Sequence, residues 1–281
     1  MEKLKVLFSS QLQGIYPACE IESFLRLSVA HICHLPFRQT RFHKDIKITN
    51  TQYLVFETIV ERLKKSEPIQ YILGETEFFG LPFDVSPAVL IPRPETEELV
   101  EWIIKDFSNM PSCKILEFGT GSGCIAISLA KNMQGSIVSS VDISSDALQV
   151  ARENAEKNQV QVSFIQQNML NLDETVFQSL YDVIVSNPPY VCEKEKLQMQ
   201  PNVLDFEPHL ALFVENENPL IFYHKIAVFA KNKLSKKGAL YVEINQTLGE
   251  ETSALFAQYG FNVELRKDIS GNDRMIKAVK R

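Results

Sequence analysis

Asn187, Pro188, Pro189 and Tyr190 follow directly on an apolar, strand-like segment, YDVIVS (181–186). Two consecutive prolines remove two backbone donors and hold φ at about −65°, so the strand has to end there. Asn-Pro and Pro-Pro are also ordinary turn formers, so the motif alone leaves a plain turn open. Which interpretation holds depends on the other motifs along the chain.

These four residues could bind a planar NH₂ group. The lone pair of a carboxamide or an exocyclic amine is delocalised, which makes the nitrogen a poor nucleophile. Two acceptors fixed on its N–H groups would orient it and favour the charge that builds up during methyl transfer. The Asn187 side-chain oxygen and the Pro188 carbonyl are such acceptors, and the ring of Tyr190 offers an aromatic face. The motif therefore predicts an acceptor clamp that requires no general base.

A glycine-rich turn lies upstream, in ILEFGTGSGCIAISLA (115–130), between a strand-like and a helical segment. Gly119, Gly121 and Gly123 have the spacing G-x-G-x-G, whereas dinucleotide sites have G-x-G-x-x-G. Glu117 stands just before the first glycine. An acid at this position would repel a pyrophosphate but could receive a cationic amino group.

A second acid ends the next strand-like segment, SIVSSVDI (136–143). It is Asp142, nineteen residues past Gly123, and its carboxylate can accept hydrogen bonds from two ribose hydroxyls. Helix capping is the other possible role, but Ser144 and Ser145 are better placed for it. An adenosine at one end of the site and an amino-acid ammonium at the other describe S-adenosylmethionine.

Composition and charge narrow the class of protein. The chain has 281 residues, 45% of them hydrophobic and 23% charged, as in ordinary globular proteins. A net charge of −6 disfavours nucleic acid as the principal partner. No apolar run approaches the ~18 residues of a membrane helix, and no signal peptide is evident. Five scattered cysteines without a CxxC pair indicate reduced thiols, so we expect an acidic cytoplasmic enzyme.

The apolar spacing predicts the domain organisation. Residues 1–73 have helical periodicity, with Asn50 or Thr51 as a candidate cap, and form a helical domain. Residues 74–91 contain glycine and proline between short alternating runs, which is typical of a β-hairpin or a linker. Residues 92–281 alternate strand and helix and close with two strands, which predicts a mostly parallel sheet with a C-terminal antiparallel hairpin. The histidines near Cys33 have too few partners for zinc, so we expect no metal.

The combined motifs resemble the amino-methyltransferases, which place NPPY after a hydrophobic strand and methylate adenine, cytosine or glutamine nitrogens. The closer likeness is to the PrmC/HemK family, the protein-glutamine methyltransferases of peptide chain release factors. It covers the chain from about residue 68 to the end. The segments that carry it are PIQYILGETEFFGLPFDVSPAVLIPRPETEELV (68–100), ILEFGTGSGCIAISLA (115–130), DISSDALQVARENA (142–155), VIVSNPPY (183–190), FEPHLALF (206–213) and KDISGNDRMI (267–276).

The resemblance implies a class I S-adenosylmethionine-dependent methyltransferase, with a Rossmann-like seven-stranded sheet and a small N-terminal helical domain that docks the protein substrate. That substrate would be the glutamine of a Gly-Gly-Gln loop in a release factor, and the cofactor product S-adenosylhomocysteine. Catalysis and glutamine binding would fall to Asn187, Pro188, Pro189 and Tyr190. The implied cofactor-binding residues are Glu117, Gly119, Thr120, Gly121, Ser122, Gly123, Asp142, Ile143, Asn168, Met169 and Asn187.

Two positions depart from the family pattern. Glu117-Phe118 stands where Asp and an aliphatic residue are usual, which keeps the acid. Asn168-Met169 stands where Asp and a larger apolar or aromatic residue are common near adenine. One alternative function uses the same clamp: methylation of adenine or cytosine amino groups in nucleic acid. It would need a basic recognition region, which the acidic balance disfavours, and a membrane partner is not expected.

Overall fold

The computed structural model describes residues 1–41 and 46–281. Its helices and strands, in chain order, are α1 (Glu2–Leu12), α2 (Ala18–Ile32), α3 (Asn50–Leu63), α4 (Ile69–Leu73), β1 (Glu75–Phe78), β2 (Leu81–Asp84), α5 (Pro94–Phe107), β3 (Lys114–Phe118), α6 (Cys124–Asn132), β4 (Ile137–Asp142), α7 (Ser145–Lys157), β5 (Ser163–Gln166), β6 (Tyr181–Ser186), β7 (Val191–Cys192), α8 (Pro201–Leu204), α9 (His209–Leu212), β8 (Phe213–Val214), α10 (Ile221–Lys233), β9 (Leu234–Glu243), α11 (Gly249–Gln258), β10 (Phe261–Lys267) and β11 (Asp273–Lys280). Short 3₁₀ turns occupy 37–41, 169–171, 174–176 and 193–198.

The described residues divide into two compact units. The first comprises Met1–Gly74 and Gln200–Phe206, and the second comprises Glu75–Met199 and Glu207–Arg281. Residues 200–206 lie inside the range that the sequence assigned to the catalytic domain, yet they group with the helical unit. These seven residues do not differ in composition from their neighbours, so their grouping with the helical unit could not be predicted from the sequence. The predicted hairpin at 74–91 is the antiparallel pair β1–β2, which belongs to the second unit.

The first unit is helical, and its core comes from the apolar faces of α1, α2 and α3. Helix α3 begins with a capping box: the side chain of Thr49 accepts from the backbone N–H of Gln52 at 3.2 Å, and the Gln52 side chain accepts from the Thr49 N–H at 3.0 Å. The sequence suggested Asn50 or Thr51 as the cap. The cap is Thr49, because this residue has the extended backbone that the capping geometry requires.

The second unit contains a seven-stranded sheet in the order β10-β11-β9-β6-β3-β4-β5. The pairs from β9 through β5 are parallel, and β11 pairs antiparallel with both β9 and β10. This arrangement confirms the predicted class I methyltransferase fold with its closing antiparallel strands. Since the chain returns through a helix after β3, β4 and β6, the carboxyl ends of the parallel strands meet at one edge.

Side-chain alternation builds a separate core on each face of this sheet. Ile115 and Val183 pack with α5 and α6 on one face, whereas Leu116 and Ile184 pack with α10 and α11 on the other. Successive side chains of a strand point to opposite faces, so a strand covered on both sides is apolar throughout. The continuous runs ILEF and DVIVS follow this rule, and they hold the strand ends rigidly in place.

A membrane-spanning helix is not found anywhere in residues 1–41 or 46–281. The same residues contain no group of three or more His, Cys, Asp or Glu side chains that could hold a metal ion.

Candidate active site

A cavity of about 290 Å³ lies in the second unit, where β3, β4 and β6 end. Open α/β folds bind their ligands at this edge of the sheet. The predicted site residues that line the cavity are Glu117, Gly119, Thr120, Gly121, Ser122, Asp142, Ile143, Asn168, Met169, Asn187 and Pro189. The other three predicted residues, Gly123, Pro188 and Tyr190, are not among the lining residues.

The three glycines of the turn after β3 serve different purposes. All have a positive φ, +80° at Gly119, +53° at Gly121 and +82° at Gly123, which disfavours any side chain there. A Cβ at Gly123 would lie 2.8 Å from the Ile127 Cδ1 and 3.2 Å from the Ala151 Cβ. Gly123 therefore permits the close packing of α6 on α7, while Gly119 and Gly121 form the cavity wall.

Asp142 is tied to the glycine turn by its carboxylate. Its Oδ2 accepts from the Gly121 N–H at 3.0 Å, and its Oδ1 accepts from the Ser144 N–H at 2.9 Å. Each oxygen of an ionised carboxylate has two lone pairs, so both can accept a further hydrogen bond from a ligand. The cap of α7 is Ser144, one of the two serines that the sequence suggested, and its side chain accepts from the Ala147 N–H.

Glu117 is a fully buried carboxyl group in the cavity wall. Its Oε2 accepts from the Ser140 hydroxyl at 2.5 Å, whereas Oε1 has no well-formed hydrogen bond to any described residue. The pKa of Glu117 is raised to about 8, mainly by burial and also by the negative charge of Asp142, against the lowering effect of hydrogen bonds from Ser140 and the Ala126 amide. An unsatisfied buried acid is costly unless a ligand donates to it.

Asn187 follows β6 and is oriented by a buried threonine. Its Nδ2 donates to the Thr96 Oγ1 at 3.3 Å, and the Thr96 hydroxyl donates to the Glu243 Oε2 at 2.6 Å. The single proton of Thr96 is thereby used, so Thr96 can only accept from Asn187. This arrangement assigns the amide nitrogen to Thr96 and leaves the Asn187 Oδ1 as a free acceptor.

Tyr190 is fixed by its hydroxyl group, which donates to the Glu243 Oε1 at 2.9 Å. Burial and the adjacent Glu243 charge raise the pKa of Tyr190 well above its ordinary value. The phenol therefore stays protonated and cannot act as a base near neutral pH. Its role in the predicted clamp is restricted to its ring.

Four residues of this region were not among the predicted site residues, although Arg93, Thr96 and Glu207 lie in segments that carry the family resemblance. Thr96 and Glu243 are described above, and Arg93 forms an ion pair with the buried Glu207 (Nη2 to Oε1, 2.6 Å). The Oε2 of Glu207 also accepts from the Ile91 N–H at 3.2 Å, so this acid fixes the segment before α5. The sequence offers no spacing rule that would link Glu243 to Thr96.

Comparisons with known proteins identify the family. Residues 96–205 match the model of the methyltransferase small domain, and residues 8–74 match that of the PrmC N-terminal domain. The release factor glutamine methyltransferase of Flavobacterium psychrophilum is 50% identical over 281 residues, covering 99% of this chain and 98% of the relative. That of Bacteroides thetaiotaomicron is 44% identical over 279 residues, covering 99% of each. The chain belongs to the PrmC/HemK family.

Solved structures share the fold of this PrmC/HemK protein. A methyltransferase from Pyrococcus furiosus superposes with a TM-score of 0.55 at 20% identity, over 73% of this chain and 91% of the other. The ribosomal protein L11 methylase of Lactobacillus delbrueckii subsp. bulgaricus gives 0.51 at 16% identity, over 70% and 84%. At such identities the likeness establishes the fold alone. Membership of the family makes the protein an S-adenosylmethionine-dependent methyltransferase.

The cavity residues fit this cofactor. The free Oε1 of Glu117 can accept from an ammonium group, and the carboxylate of Asp142 has acceptor capacity for two hydroxyls. Asn168 and Met169 also line the cavity, and the Asn168 Oδ1 is occupied by the Leu170 N–H at 2.9 Å. The Asn168 amide nitrogen is unused, and its Oδ1 keeps a second lone pair, so Asn168 can both donate to a ligand and accept from it. Individual cofactor contacts remain predictions.

Cofactor binding should release a proton from Glu117. In the cofactor-free protein the raised pKa keeps this group largely neutral at pH 7, whereas a bound ammonium favours the carboxylate. We expect close to one proton released per cofactor at pH 7, and an affinity that rises between pH 6 and about 7.5. Calorimetry in buffers of different ionisation enthalpy measures the proton directly.

Glu117→Gln provides the control for this prediction. The variant should bind the cofactor more weakly and release no proton. Without cofactor, the wild-type carboxyl has a folded-state pKa above its unfolded value, so its contribution to stability falls as pH rises from about 4.5 to about 8. The free energy of unfolding of Glu117→Gln should lack that decline. Proton release that persists in Glu117→Gln would assign it to another group.

Proposed function

We propose that this protein transfers the methyl group of S-adenosylmethionine to the side-chain amide nitrogen of the glutamine in the Gly-Gly-Gln motif of peptide chain release factors. The observation that carries the proposal is the orientation of Asn187, whose Oδ1 is left as a free acceptor in the same cavity wall as Glu117 and Asp142. An acceptor is what a carboxamide NH₂ needs as a partner. The names of the relatives support the choice of substrate.

The residues of the chain contribute orientation rather than covalent chemistry. S-adenosylmethionine supplies an electrophilic methyl carbon when it is bound. The Asn187 Oδ1 and the Pro188 carbonyl would each accept one N–H of the glutamine amide, which directs the nitrogen lone pair and stabilises positive charge on it. Pro188 and Pro189 restrict the backbone that carries these acceptors. The surplus proton of the product leaves to water, so Tyr190 can remain protonated.

Substrate identity is tested by methyl incorporation from labelled cofactor. The protein is incubated separately with a release factor, with the same factor carrying Gln→Ala in its Gly-Gly-Gln motif, and with tRNA, rRNA and DNA. We expect label in the unmodified release factor and in none of the other substrates. Label in nucleic acid but not in the release factor would establish the adenine or cytosine amino-methyltransferase function instead.

We also propose that the first unit docks the protein substrate. It matches the PrmC N-terminal domain over residues 8–74. Helix α3 exposes two adjacent apolar side chains, Leu54 at 62% and Val55 at 45%, while Phe56 beside them is buried in the core. Exposed apolar side chains of this kind are suited to a protein partner rather than to nucleic acid. With release factors as partners, we place the reaction in the cytoplasm.

Leu54→Ser combined with Val55→Ser should raise KM for an intact release factor by about tenfold or more, which is the effect of losing an interface anchor. It should leave cofactor affinity and the methylation of a short Gly-Gly-Gln peptide unchanged. Leu180→Ser is the matched control, because Leu180 is 55% exposed but belongs to the second unit. Equal effects on the intact factor and on the peptide would contradict docking through α3.

A further inference from the structure

Glu243 is a buried acid next to the candidate acceptor site. It ends β9, which pairs with β6 so that Val242 lies opposite Ser186, one residue before Asn187. Its exposure is 1%, and it is not among the residues that line the cavity. An apolar residue would pack at this position without the cost of removing a carboxyl group from water.

Both oxygens of Glu243 accept hydrogen bonds from groups that flank the site. Oε2 accepts from the Thr96 hydroxyl at 2.6 Å, and Oε1 accepts from the Tyr190 hydroxyl at 2.9 Å. Thr96 comes from the first turn of α5, whereas Tyr190 comes from the segment after β6. One carboxyl group thus connects the two sides of the acceptor site.

The direction of these bonds determines which atom Asn187 presents. Because Thr96 donates its only proton to Glu243, its oxygen has to accept from the Asn187 Nδ2. Without Glu243 as acceptor, the Thr96 hydroxyl could donate to Asn187, and the amide could present its NH₂ group to the cavity. An NH₂ group there would face the N–H donors of a glutamine side chain and repel them.

We infer that Glu243 is a positioning residue for methyl transfer, which acts through Thr96 to keep the Asn187 Oδ1 directed at the acceptor nitrogen and through Tyr190 to hold the aromatic ring. The inference rests on the proposed function only in that it takes a glutamine amide nitrogen as the methyl acceptor. Glu243 touches neither substrate nor cofactor in this role. The pKa of Glu243 is raised above its ordinary value, mainly by burial and also by the charge of Glu95, against the lowering effect of the Thr96 and Tyr190 hydroxyls and of Arg274.

Three variants separate positioning from plain structural support. Thr96→Val removes the hydroxyl at nearly constant volume, Thr96→Ser keeps it, and Glu243→Gln leaves only one oxygen for two donors. We expect kcat to fall about 10- to 100-fold in Thr96→Val and in Glu243→Gln, with KM for the release factor within twofold of wild type. Thr96→Ser should retain kcat within threefold. The double variant Thr96→Val/Glu243→Gln should have a kcat no lower than that of the slower single variant, because both substitutions remove the hydrogen bond between Thr96 and Glu243.

A matched control comes from Tyr223, a fully buried residue whose hydroxyl donates to the backbone oxygen of Glu243 at 3.0 Å. Tyr223→Phe removes a buried hydrogen bond to the same residue but leaves its carboxylate untouched. We expect it to lower Tm while kcat per folded molecule stays within twofold of wild type. A fall in kcat equal to that of Thr96→Val would show that any loosening of β9 has the same effect, which overturns the inference.

A direct readout that does not depend on activity is the side-chain NH₂ signal of Asn187. Selective ¹⁵N-asparagine labelling shows this signal, and its loss in Asn187→Ala assigns it. One of its two protons should exchange slowly with solvent in the wild type and at least tenfold faster in Thr96→Val. Unchanged exchange in Thr96→Val would overturn the inference even if the release factor were not the substrate, whereas failure to methylate the release factor by the wild type would count against the proposed function alone.

Discussion

Asn187→Ala should lower kcat for release-factor methylation by about 10²–10³-fold, the usual loss when one preorganised polar partner of a developing charge is removed. The strand, the prolines and the glycine turn remain, so cofactor affinity should change little. The loss should appear in kcat rather than in cofactor affinity, because the hydrogen bond is strongest as positive charge builds on the substrate nitrogen. Single-turnover methyl transfer at saturating cofactor is the measurement. A wild-type rate would mean that Asn-Pro-Pro-Tyr is only a turn.

Asn187→Asp sharpens this test. The carboxylate keeps an acceptor for the substrate but no longer donates to Thr96, whose proton is already used by Glu243. Two oxygens would then meet at this contact, 3.3 Å apart in the present structure. If only the acceptor is required, Asn187→Asp should retain partial activity. If the contact with Thr96 fixes the geometry, it should be nearly as slow as Asn187→Ala.

Asp142→Ala should weaken S-adenosylmethionine binding by about 1.5–3 kcal/mol, which is roughly 10- to 150-fold in Kd, because hydrogen bonds to a charged group are lost. The structure adds a second reason. Asp142 also accepts from the Gly121 and Ser144 amides, so its removal leaves both donors without this partner and loosens the turn that forms the cavity wall. Isothermal calorimetry measures the affinity.

Asp146→Ala is the matched control for Asp142→Ala. It removes the same charge four residues later, in the first turn of α7, and Asp146 is not among the cavity-lining residues. Its Kd should stay within twofold of wild type. An unchanged affinity in Asp142→Ala would remove Asp142 from the cofactor site. Equal losses of cofactor affinity in Asp142→Ala and Asp146→Ala would show that Asp142 acts only through its long-range charge.

Much of the fold followed from local patterns. The apolar segments ILEF and DVIVS predicted strands of a mostly parallel sheet, and both are central strands that the structure buries on both faces. Of the two candidate caps of α7, Ser144 is confirmed, but both candidates for α3, Asn50 and Thr51, lie past the true cap, since capping depends on backbone angles as well as residue type. The short elements between β6 and α10 were not predicted, because helices of four residues leave no periodicity to detect.

The sequence by itself determined that Glu117, Asp142 and Asn187 share one site. Each stands at the carboxyl end of a parallel strand, and right-handed crossovers bring those ends to a single edge. Only the tertiary structure decided which atom of Asn187 is free. That choice depends on Thr96, 91 residues earlier, and on Glu243, 147 residues after Thr96. The direction of a hydrogen bond is set by donors and acceptors that meet only after the sheet has formed. It therefore cannot be predicted from the spacing of residues along the chain.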